Sequence, residues 1–91
     1  PDFQNGSITV NVSMNAGESM SYHMHNHRDE VWTVVSGNGA VTIDGEKQDV
    51  KAGDVVTIKA GCKHMVEAVT NLDIVEVQIG NEISVDDKEK F

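Results

Sequence analysis

The chain has 91 residues, 15 of them acidic against 7 Lys and Arg, for a formal net charge of −8. That length supports one small domain, and so acidic a surface argues against nucleic acid and anionic membranes as partners. Hydrophobic residues reach 38% with only 4% aromatic, a lean core that a homodimer burying one sheet face would relieve.

Cys62 is the single cysteine, so no internal disulfide forms. No secretory signal and no long apolar run is visible, and a soluble, cytoplasmic chain is expected. The sequence opens on Pro1 without a Met, which leaves room for residues upstream.

Short apolar-alternating runs recur along the chain, separated by Gly- and Asp-rich breaks. Ile8 to Met14 reads as a strand ending at Asn15-Ala16-Gly17, and Met20 to His25 as a second. Glu30 to Ser36 follows, with Trp32 and Val34 on one face and Val31, Thr33 and Val35 on the other. After Gly37-Asn38-Gly39, the segments 40–43 and 46–50 flank Asp44-Gly45 and read as a type I′ hairpin. Val55 to Ile58, Lys63 to Ala68 and Leu72 to Ile79 are three more strands. The polar tail from Ser84 to Phe91 is expected to form a turn of helix at most. Many short strands at regular spacing predict a single all-β domain over residues 1–91, a sandwich or barrel with its core at about 7–80.

The segment His23-Met24-His25-Asn26-His27-Arg28-Asp29-Glu30 carries the chemistry. Strand side chains alternate with period two, so His23 and His25 share a face. Asn26 to Asp29 favour a turn, after which Glu30 starts the next strand on the face of Trp32 and Val34. The Gly61 turn then delivers His64. Three imidazoles and one carboxylate suit one divalent transition metal, and Zn, Mn, Fe, Co and Ni all accept that set. His27 is open between a substrate contact, an alternate ligand and a solvated turn residue. Cys62 reads as a loop residue near the site, and the four methionines as core filling.

These residues resemble the cupin superfamily. Its first motif runs Gly, five residues, His-x-His, three or four residues, Glu, six residues, Gly; here Gly17, His23, His25, Glu30 and Gly37 meet every spacing. Of the second motif Gly53, Gly61 and His64 are present, with Lys59 in place of Pro and Ala68 in place of Asn. Within the superfamily the chain is similar to the cupin domain of type II mannose-6-phosphate isomerases, which in bifunctional enzymes follows a mannose-1-phosphate guanylyltransferase. The segments 17–22, 25–32, 34–37, 41–45, 60–64 and 74–80 carry that likeness. His23 and Asn26 replace the family's usual Gln and His, and its Arg-Pro-Trp-Gly arm is absent.

The resemblance implies a jelly-roll barrel, a metal on His23, His25, Glu30 and His64, and aldose–ketose isomerisation of a small sugar phosphate. A base for the proton transfer would be His27 or Glu76. Arg28 and Lys63 flank the two halves of the metal motif and would hold a phosphate, or are ordinary surface charges. Gln78 lies two residues from Glu76 in an otherwise apolar strand, so the pair would line a wet pocket if it faces inward. Two other functions fit the same residues: a metal-dependent dioxygenase, expected to have an apolar pocket, and a non-catalytic sugar- or metabolite-binding module, expected to lack a usable base.

Overall fold

The computed structural model describes residues 3–83 and 86–90, with side chains for 6–80 and 86–90. Nine strands run through them: β1 (Phe3–Met14), β2 (His23–Met24), β3 (Asp29–Ser36), β4 (Asn38–Ile43), β5 (Glu46–Lys51), β6 (Val55–Ile58), β7 (His64–Ala68), β8 (Leu72–Ile83) and β9 (Glu89–Lys90). Among the described residues there is no helix, and none long and apolar enough to cross a membrane.

The strands pair antiparallel in two sheets, β1-β8-β3-β6 and β5-β4-β7-β2-β9. The expected alternation decides which side faces the partner sheet. On β3, Glu30, Trp32 and Val34 are buried while Val31 and Thr33 are only partly covered and Val35 is exposed. On β8, Leu72, Ile74 and Glu76 face inward with them. Val41 and Val66 from the second sheet and Val56 and Ile58 from β6 complete the apolar core.

Turn chemistry sets the register. Asp44 and Gly45 both have positive φ, +48° and +86°, as a type I′ turn requires, and Ile43 pairs with Glu46 across it. Gly37 combines a φ of +85° with a carbonyl neighbour, Asn71 O, standing where a Cβ would go. Gly80 likewise leaves room for the His27 carbonyl, which lets the 26–28 turn lie against β8.

Two expectations change. The second strand, expected over 20–25, is reduced to His23–Met24. Its pairing with β7 is intermittent: Met20 N donates to Val66 O at 2.8 Å, Ser19 bridges Glu67, and the ladder resumes at His23 opposite His64. The tail is the second. In place of a helical turn, Glu89–Lys90 forms β9 and pairs with His23 and Met24, while Ser84, Val85 and Phe91 lie outside the described residues. A two-residue strand is held by backbone groups alone, so it has no periodicity to read.

Candidate metal centre

His23 and His64 face each other directly across the β2–β7 pair, and His25 follows one strand pitch later on the same face. All three are buried, with one ring nitrogen from each within 4.8 Å of the other two. The second ring nitrogen of each points at a backbone carbonyl: His23 Nδ1 at Ser21 O (2.7 Å), His64 Nδ1 at Cys62 O (3.1 Å) and His25 Nδ1 at Asp87 O (2.5 Å). A carbonyl only accepts, so Nδ1 must carry the hydrogen, and in the neutral ring Nε2 then keeps its lone pair. The three Nε2 atoms therefore converge on one point.

Burial favours the neutral form of His23 and His64. Desolvation lowers the His23 pKa to about 4 and also lowers that of His64. His64 Nε2 has no hydrogen-bond partner among the described residues. A buried acceptor left unsatisfied is costly, and a cation is the partner that a ring of lone pairs accepts. The donor set fits a first-row divalent ion on His23, His25 and His64.

Glu30 enters from the opposite sheet. Its Oε2 lies 3.2 Å from His25 Nε2 and its Oε1 4.0 Å from His64 Nε2. Both oxygens are already engaged: Trp32 Nε1 donates to Oε1 at 2.9 Å and Arg28 Nε to Oε2 at 2.9 Å. Arg28 also places Nη2 3.0 Å from His25 Nε2. Its guanidinium thus bridges a carboxylate oxygen and an imidazole lone pair that would otherwise repel each other. Glu30 therefore sits beside the three-histidine group with its carboxylate held by protein donors.

A pocket of about 300 Å³ opens over these groups, lined by Met20, His23, His25, Arg28, Glu30, Glu76 and Lys88. Glu76 faces it from β8, opposite Trp32 on β3 and Val10 on β1. Desolvation, with the nearby Glu30 charge, raises its pKa above the usual carboxylate range. Gln78 does not line the pocket but donates from Nε2 to Glu76 Oε2 at 2.7 Å. Of the pair, Glu76 alone lines the pocket, and Gln78 reaches it only through that hydrogen bond.

Other expected site residues lie elsewhere. His27 is exposed and lines a separate groove with Asn26, Asp29 and Gly80, to which Arg28 also contributes. The 26–28 turn carries it out of the barrel, because its backbone N–H is tied to Asp87. Lys63 is exposed outside the pocket lining, its backbone N–H on Asp44 Oδ1 at 2.9 Å. Cys62 packs partly buried against the core, and desolvation pushes its thiol pKa up, which opposes a nucleophilic role. Sequence reasoning missed Lys88 and Asp87. Both come from the tail, and only the β2–β9 pairing brings them here.

Two antiparallel sheets closing over a His-x-His pair and a later His define a cupin, and the cupin domain family matches residues 10–79. The chain belongs to that family. It is 35% identical over 82 residues to a mannose-1-phosphate guanylyltransferase of Escherichia coli (strain K12), covering 88% of this chain and 17% of that protein. The chain thus spans about a sixth of the length of such relatives. Among solved structures, an uncharacterised protein with a double-stranded β-helix domain from Klebsiella pneumoniae aligns with a TM-score of 0.78 and 26% identity, over 87% of this chain and 72% of that one. Salicylate 1,2-dioxygenase from Pseudoaminobacter salicylatoxidans aligns with a TM-score of 0.79 at 20% identity, over 82% of this chain and 20% of that one, a likeness of fold.

Proposed function

We propose that this cupin is a metal-dependent aldose–ketose isomerase for a small sugar phosphate of the mannose-6-phosphate kind. The observation that carries the reading is a buried carboxyl of raised pKa, Glu76, in one pocket with two of the three convergent histidines, His23 and His25, and two cations, Arg28 and Lys88. The likeness to mannose-phosphate enzymes supports the same substrate class.

His23, His25 and His64 would hold the ion, with Glu30 as a fourth ligand once it exchanges its hydrogen bond from Arg28. A bound divalent transition metal would polarise the sugar's carbonyl and hydroxyl oxygens. The protein supplies the remaining parts. Isomerisation moves one proton between adjacent carbons, so one group must accept and return it. Glu76 suits this because desolvation brings its proton affinity closer to neutral pH. Gln78 holds Oε2, which leaves Oε1 for the proton. Arg28 and Lys88 supply charge for a phosphate ester, with the guanidinium able to bind two oxygens at once. These cations in the pocket favour a charged ester over the apolar substrate expected of a dioxygenase, and Glu76 is a usable base that a pure binding module would not need.

The homodimer belongs to the same proposal. The outer face of β1-β8-β3-β6 exposes Val35 by 56%, Val55 by 61% and Ile79 by 45%, beside Val31, Val75 and Val77. On a chain of net charge −8 this valine-rich strip, with Asp29 and Asp73 at its two ends, is where a second copy approaches with least repulsion. Sedimentation equilibrium should show two chains per particle, and a monomer at all concentrations would refute the dimer.

The test of activity is elemental analysis of the purified protein with a mannose-6-phosphate to fructose-6-phosphate assay, with and without added metals. Bound metal with turnover is the expected result. Bound metal without turnover would refute the isomerase and leave the metal centre standing; no metal under any condition would refute both.

A further inference from the structure

Within the C-terminal segment, Asp87 makes three hydrogen bonds with the metal-ligand loop. Asp87 is only 8% exposed. Its Oδ1 accepts the Asn26 N–H at 2.7 Å and its Oδ2 the His27 N–H at 2.8 Å. Its own carbonyl accepts from His25 Nδ1 at 2.5 Å. His25 is the one ligand of the three whose Nδ1 partner is distant in sequence; His23 and His64 use carbonyls two residues before themselves. The β2–β9 pairing, His23 with Lys90 and Met24 with Glu89, sets this segment in register with the ligands.

We propose that Asp87 is a positioning residue of the metal centre, its carboxylate clamping the 26–27 backbone while its carbonyl fixes the tautomer and ring direction of His25. The proposal rests on the reading of His23, His25 and His64 as metal ligands. The physical case has two parts. A ring free to rotate about χ2, or to place its hydrogen on Nε2, offers no lone pair to the centre; a carbonyl acceptor at Nδ1 removes both freedoms. A carboxylate accepting two backbone N–H groups also makes charge-assisted bonds, stronger than neutral ones, so the clamp outlasts thermal opening of a two-residue strand. An Asn side chain cannot replace it, because its amide NH2 would face one of the two N–H donors.

The experiment is cobalt(II) titration of the full chain by calorimetry and by its d–d absorption, for wild type, Asp87→Asn and Glu89→Gln. Glu89→Gln removes the same charge from the same segment, and among the described residues its carboxylate accepts from Asn26 Nδ2 at 3.5 Å. Asp87→Asn should bind cobalt about 10- to 100-fold more weakly, the usual effect of losing a partner that orients a ligand, with Glu89→Gln close to wild type. Equal affinities for wild type and a folded Asp87→Asn would overturn the proposal, as would equal weakening in both variants. If Asp87→Asn fails to fold, 15N shifts of the histidine rings in chelator-treated wild type decide the matter. His25 protonated on Nδ1, with a scalar coupling to the Asp87 carbonyl, is expected; protonation on Nε2 would refute it. A wild type that binds no cobalt but shows that tautomer would refute the metal reading and leave the hold of Asp87 on His25 intact.

Discussion

Arg28→Met should tighten metal binding, although it removes a residue from the site. Arg28 donates to Glu30 Oε2 at 2.9 Å and to His25 Nε2 at 3.0 Å, and its side chain is 10% exposed. A lone pair on His25 Nε2 cannot serve both Nη2 and an ion, so each binding event must break that contact. A hydrogen bond to a charged group is worth about 1.5–3 kcal/mol, which converts to roughly 10- to 100-fold in the dissociation constant. Removing a like charge from the ion's surroundings works in the same direction. Methionine keeps the apolar stem while deleting the guanidinium. Without metal, the variant leaves the Glu30 carboxylate short of its ion-pair partner, and breaking a buried pair costs about 3–5 kcal/mol. Taking about 3 kcal/mol, the melting temperature of the chelator-treated variant should fall by roughly 12–24 °C for a domain of this size. Added cobalt or zinc should recover more of that loss than it adds to wild type. Calorimetric titration and melting curves with and without metal read both effects. A folded Arg28→Met that binds metal no more tightly than wild type would refute the competition between guanidinium and ion. In the same variant, binding of a phosphorylated sugar should weaken far more than that of its neutral parent; equal effects would remove Arg28 as the phosphate handle.

His64→Ala should lose most of its bound metal by elemental analysis while its circular dichroism stays that of a β protein, and unchanged metal content would refute the ligand assignment. Glu76→Gln should keep its metal and abolish proton exchange between substrate and solvent; exchange at the wild-type rate would remove Glu76 as the base. The Glu76→Gln background also isolates a pH effect. His23 titrates at about 4 in the fold against 6.5 in a free chain, so the unfolded state binds more protons between those values. Its contribution is fully present above pH 6.5 and is lost as pH falls towards 4, about 3 kcal/mol in total for the metal-free protein. The lowered pKa of His64 adds in the same direction, whereas Glu76, with its raised pKa, would oppose it by losing stability as pH rises. Urea unfolding of the chelated protein from pH 7 to pH 4 should show that decline, and a flat profile would contradict the burial of these imidazoles as neutral groups.

Much of the fold was legible because strand side chains alternate strictly and turns have their own chemistry. The pattern of Glu30, Trp32 and Val34 already said which face of β3 is buried, and Asp44-Gly45 said where β4 meets β5. His23, His25 and His64 were legible for the same reason: a period of two and a glycine turn are local facts, and they suffice to aim three imidazoles at one point. Other features depend on contacts between residues far apart in the chain. That Arg28 turns inward onto Glu30 and His25 while its neighbour His27 faces out is settled by Asp87, some sixty residues away, taking the 26–27 backbone. That Lys88 reaches the pocket and Lys63 does not depends on β9 pairing with β2, a ladder of backbone groups that no side-chain pattern encodes. The amino-acid order by itself determined the barrel and its ring of histidine nitrogens; the tertiary structure decided which charges stand around them, because hydrogen bonds across the chain ends leave no periodic trace.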